Sequence, residues 1–177
     1  MRDRVRAAFH EAGPGFLPRL MLVSDLAADE VPVPPLRRRL ELARLVAELT
    51  TRQRDFAPGT ATFDLADHLA DLLDEMQTEG VSPGALEDPN LAENHAIHWE
   101  RSLTFLRIIS PYFAPDAAGS AAGLQRRAVE ALAAQWRNDP PTDPVIVAGS
   151  TGSRGATALL MQAVASLPQG ALVLPGY

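Results

Sequence analysis

A chain of 177 residues that is 46% hydrophobic can bury one sizeable core, and a formal net charge of −6 argues against a surface given over wholly to nucleic-acid phosphates. All of its positive side-chain charge at neutral pH is arginine, because the sequence contains no lysine; it also contains no cysteine. This composition excludes a P-loop lysine, a Schiff-base lysine, disulfides and thiolate metal sites, and fits a reducing cytoplasm.

In chain order, residues 2–12 read as a short helix with Val5, Ala8, Phe9 and Ala12 on one side, stopped by Gly13, Pro14 and Gly15. Met1 is followed by arginines rather than an apolar leader, and no apolar run approaches the ~18 residues a membrane span needs. A soluble, cytoplasmic protein with no membrane partner is expected. The run Leu20, Met21, Leu22 and Val23 is too short for a helix and predicts a buried strand, after which an acidic, proline-rich stretch makes a connector.

Pro34 and Pro35 set up a helix start, and Leu36, Leu40, Ala43 and Ala47 with Leu42, Leu45, Val46 and Leu49 give a wide apolar stripe. A second helix, capped by Thr60 or Thr62, carries Leu65, Leu69, Leu72, Leu73 and Met76 and ends at Gly80. A third carries Ile97, Trp99, Leu103, Leu106 and Ile109 before Pro111, and a fourth runs from about Ala121 to Trp136. The pattern then changes. Residues 144–149 predict a strand, 149–155 a glycine and serine turn, 156–167 a helix and 170–177 a second strand, a βαβ unit whose strands are parallel with a right-handed crossover.

The expected class is therefore α/β: a small parallel sheet with a mainly helical insertion, residues 1–30 and 140–177 forming the platform and 31–139 the insertion. A parallel sheet wants several strands and both faces covered, so a piece of a longer protein is expected.

Few residues point to chemistry. The loop Gly149, Ser150, Thr151, Gly152, Ser153, Arg154, Gly155 lies between a strand and a helix start, where free backbone N–H groups favour anions. It departs from both the Walker A and the dinucleotide patterns, so Ser150 to Arg154 are candidates for an anion or partner contact, set against a plain tight turn. Arg37, Arg38 and Arg39, with Arg126 and Arg127, are candidates for DNA phosphates, and are equally plausible as partners for nearby carboxylates. Asp64, Asp67, Asp71 and Asp74 line one helix face and read as a solvated surface. His95, His98 and Glu100 have a loose metal-like spacing without the HExxH pattern, and Trp99, Phe105 and Trp136 read as core. No catalytic residue, metal site or cofactor follows from the residues.

Five segments carry a resemblance: LPRLMLVSDL, PPLRRRLELARLVAEL, LADLLDEMQTEGV, HWERSLTFLRII and PVIVAGSTGSRGATALLMQAVASLPQGALVLPG. In this order they resemble the N-terminal region of the alphaproteobacterial AddB family, subunits of the AddAB helicase-nuclease that processes DNA double-strand breaks for recombination. The resemblance implies a platform like the first motor region of UvrD-type helicases, inactive as a motor, serving as scaffold and DNA channel beside an AddA-type subunit. It places the family's nuclease carboxylates, and the strand and loop that precede the platform, outside this sequence, so no catalytic residue of the family maps onto it. The alternative is a free-standing α/β protein that takes a phosphorylated small molecule at residues 149–155.

Overall fold

The structure is a computed structural model that describes residues 2–52, 61–86, 103, 106–114 and 119–176. Helix α1 (Arg2–Glu11) leads, by way of an extended stretch, into a 3-10 turn at Val23–Ala27. Helices α2 (Pro35–Arg52), α3 (Thr62–Glu79) and α4 (Ala121–Asn138) follow, then β1 (Val145–Ala148), α5 (Gly155–Ala165) and β2 (Gly170–Val173). Residues 106–109 are helical and run into a 3-10 turn at Ser110–Phe113.

The helix ends follow local chemistry. Pro35 is the first residue of α2, where its missing N–H costs nothing, and the Arg38 N–H reaches back to the Pro34 carbonyl at 3.1 Å. At the end of α3, Gly80 takes φ +73°, and the N–H groups of Gly80 and Val81 close on the Gln77 and Met76 carbonyls. A side chain would be strained at that φ. The Ser120 hydroxyl accepts the Gly123 N–H at 3.1 Å and caps α4. The expected threonine cap of α3 is not made: the residue before the helix is Ala61, Thr62 is already inside it, and Thr60 lies outside the described residues.

Two apolar cores form. The first joins Leu42 and Val46 of α2, Ala66, Leu69, Leu73 and Met76 of α3, and Leu106 and Ile109. The second joins Val129 of α4 to Leu160 and Val164 of α5, with Val145 and Val147 of β1, Trp136, Val23 and Leu26 packed around them. The helical stripes read from the sequence become buried faces in part: Leu42, Ala43 and Val46 of α2 are buried while Leu36 and Leu40 stay exposed, Phe9 of α1 is exposed, and Ile97 lies outside the described residues. Leu72 alone among the α3 stripe stays open at 37% exposure. The expected βαβ unit is present: β1 and β2 pair in parallel, Val145 opposite Gly170 through Ala148 opposite Val173.

The strand expected at Leu20–Val23 is not formed. The Leu22 N–H donates to the Asp25 carboxylate at 2.9 Å and the Asp25 N–H to the Leu22 carbonyl, so the chain turns into 3-10 geometry at Val23. A strand is stabilised by a neighbour's ladder, and the only sheet among the described residues is the two-stranded β1–β2 pair. Met21 and Leu22 stay exposed while Val23 and Leu26 reach the second core. Trp136 takes its expected place against that core; Trp99 and Phe105 lie outside the described residues.

Because Leu69 is fully buried at the centre of the first core, Leu69→Ala is expected to cost about 2–5 kcal/mol, and Leu72→Ala well under half of that. Urea unfolding followed by circular dichroism measures both.

Candidate functional site

The arginine cluster at the start of α2 and the aspartate row of α3 are partners. Arg39 grips Asp67 with two hydrogen bonds of 2.7 and 2.8 Å, and its guanidinium lies 5.0 Å from the Phe63 ring centre. Arg38 donates to Asp74 at 2.8 Å and to the Ala70 carbonyl, with its side chain only 11% exposed. Arg37 bonds Glu41 one turn along its own helix at 2.9 Å. Of the four aspartates expected on a solvated face, Asp67 and Asp74 are therefore held by arginine. The hydrogen bond from Arg39 holds the Asp67 carboxyl below the ordinary aspartate value, and the same bond raises Arg39 further above the ordinary arginine value.

Arg126 is also committed. It donates to Glu130 at 2.6 Å and to the Thr78 carbonyl at 3.2 Å, placing a positive charge at the C-terminal end of α3. Its guanidinium lies 2.7 Å from where a side chain on Gly80 would begin. Arg127 packs beside Gly119 and lines the same small groove as Arg126. The five arginines therefore do not converge on one exposed patch. Arg37, Arg38 and Arg39 face α2 and α3 partners, and Arg126 faces the end of α3.

The loop before α5 is the other candidate. Gly149 and Gly152 take φ +77° and +68°, the Gly152 N–H donates to the Ser150 hydroxyl at 3.2 Å, and the Gly149 N–H closes on the Val173 carbonyl of β2 at 2.8 Å. Ser153 and Arg154 are exposed, as is Thr151. At the helix start an anion is already present: the Gly155 N–H donates to the Glu79 carboxylate at 2.9 Å. A carboxylate there takes the helix-dipole interaction that a phosphate would otherwise receive. The approach is close, since a side chain on Gly155 would begin 2.9 Å from the Glu79 Cα and from the Thr78 carbonyl oxygen.

Beside this contact runs a groove of about 590 Å³ lined by Ser24, Asp71, Asp74, Glu75, Gln125 and Arg154. Its wall is mixed in charge. Among the described residues no three or more His, Asp and Glu side chains are arranged to hold a metal; His95, His98 and Glu100 lie outside them. No helix among them is long and apolar enough to cross a membrane.

Sequence reasoning missed Glu79, Gln77 and Ser120. Ser120, 5% exposed, donates to the Gln77 side-chain oxygen at 2.7 Å, and the Gln77 amide donates to the Tyr112 carbonyl at 3.1 Å. Gln77 sits one residue after Met76 of the apolar stripe, and a buried polar group there was the available signal. Glu79 gave none, because its partner is 76 residues away.

Two outcomes follow. The Asp67 carboxyl is expected to titrate below ordinary aspartates by carbon-detected NMR and to move up in Arg39→Ala. An aspartate lowered in the folded state contributes stability that is fully present above its unfolded value and lost as pH falls through the folded one, so the pair weakens only in acid. Gly155→Ala is expected to cost about 1–3 kcal/mol, since the backbone of α3 must shift, as read by thermal or urea unfolding.

Comparison of the sequence with family models and with curated proteins, and of the structure with solved structures, gives no match.

Proposed function

We propose that the chain is a non-catalytic platform of the AddB kind, part of a DNA-end-processing helicase-nuclease, in which a UvrD-like βαβ unit has exchanged phosphate binding for an internal joint. The observation that carries this reading is the Glu79 carboxylate on the Gly155 N–H. Elsewhere a loop between strand and helix commonly receives a phosphate at the helix start, helped by a lysine. Here the sequence has no lysine, and an acidic side chain fills the helix start.

The open face of the sheet supports the same reading. Ile146 at 60% and Val173 at 54% exposure lie on the side away from α5, with Leu174 at 61% just beyond. Parallel sheets bury both faces, so this side suits packing within a larger assembly that includes an AddA-type subunit. DNA contact then falls to candidate arginines that pair with no carboxylate among the described residues: Arg154, exposed beside the large groove, and the half-buried Arg127, which lines the smaller one. Arg38 and Arg39 serve to dock α2 on α3, while Arg37 pairs with Glu41 along its own helix. The alternative, a phosphorylated small molecule bound at residues 149–155, has to displace Glu79 and is disfavoured for that reason.

The test is fluorescence anisotropy of labelled single-stranded and duplex-end DNA at two salt concentrations, with a titration of a non-hydrolysable ATP analogue alongside. Binding that weakens steeply with salt, a shallower salt slope by about 1 in Arg154→Ala or Arg127→Ala, and no nucleotide signal are expected. Nucleotide binding without DNA binding overturns the reading in favour of the phosphorylated-ligand alternative.

A further inference from the structure

The two cores share no residue, and α3 joins them by packing on α4 and α5. Three successive residues at the end of α3 carry polar contacts across to the second layer: Gln77 to Ser120, the Thr78 carbonyl to Arg126, and Glu79 to the Gly155 N–H. Glycines on the facing elements permit the approach. A side chain on Gly123 would begin 2.9 Å from the Gln77 oxygen, and one on Gly155 equally close to the Glu79 Cα.

Clefts flank this seam on both sides. The groove of about 590 Å³ separates Asp71, Asp74 and Glu75 of α3 from Gln125 of α4 and Arg154, while one of about 290 Å³ separates Met76 and Val81 from Arg127 and Glu130. Polar contacts between two apolar bodies gathered into one helical turn, with space on either side, have the anatomy of a pivot, since polar interfaces permit relative motion more readily than apolar ones.

The geometry points to a hinge at residues 77–80, about which the helical layer (α2, α3 and residues 106–113) rotates against the layer of α4, α5 and the sheet. The buried Gln77–Ser120 pair is the pin. The more exposed Glu79–Gly155 and Arg126–Thr78 contacts are latches, each holding one side closed. Helix α3 spans about 25 Å from its first residue to the pivot, so a small rotation there becomes a large displacement at its far end. This inference is independent of the proposed DNA role, since it follows from packing alone.

The absence of cysteine permits clean spin-label pairs. Labels at Asp64→Cys, on the first turn of α3, and Gln162→Cys, on the exposed side of α5, report the distance between layers; labels at Asp64→Cys and Glu48→Cys report the distance within the helical layer. Pulsed electron resonance is expected to show one dominant interlayer distance in the intact chain. Removing the latches with Glu79→Ala and Arg126→Ala should add a longer population, while the distance within the layer stays single and narrow. An interlayer distance that stays single after both latches are removed overturns the hinge. So does a distance within the helical layer that broadens with it, because the layer would then not move as a body.

Discussion

Close backbone approach at the end of α3 is the constraint on which the arrangement depends. Glu79 and Thr78 come within van der Waals reach of Gly155, and Gln77 of Gly123, so two glycines decide that α3 can end against the starts of α4 and α5. Without that approach the buried serine and glutamine would lose each other, at a cost typical of unpaired polar groups in the interior, and the two cores would have no common edge. Helix dipoles reinforce the contact. An arginine faces the C-terminal carbonyls of α3 and a glutamate faces the N-terminus of α5, each the favourable sign for its helix end.

Three arginines, Arg38, Arg39 and Arg126, have architectural roles. Arg38 is nearly covered by α3 and neutralised by Asp74, and Arg39 binds Asp67 through both of its nearer nitrogens while stacking on Phe63. The planar guanidinium suits that task, because its donors are fixed in a fork that a carboxylate matches. A cluster of basic residues in sequence therefore became a docking device between two helices. The charge of Arg38 and Arg39 is spent within the fold.

Local signals were sufficient for much of this. The start of α2 at Pro35, the end of α3 at Gly80, the run of α4 and the parallel βαβ unit were all legible, because each rests on helical or strand periodicity and on residues that open or stop an element. The run Leu20–Val23 was misread for an equally physical reason. Its composition suits a strand, but Asp25 offers the Leu22 N–H a partner three residues away, and local pairing prevailed over a ladder whose other strand the sequence cannot display.

The sequence by itself determined the helices with their apolar faces, the βαβ connectivity, and the chemistry denied by the absence of lysine and cysteine. Only the tertiary structure decided that the arginine and aspartate rows answer each other, that the stripe splits into two cores, and that Glu79 occupies the helix start where a phosphate would sit. The reason is range. Periodicity and capping act within a few residues, whereas Arg38 and Asp74, Gln77 and Ser120, and Glu79 and Gly155 are 36, 43 and 76 residues apart and meet only when helices pack.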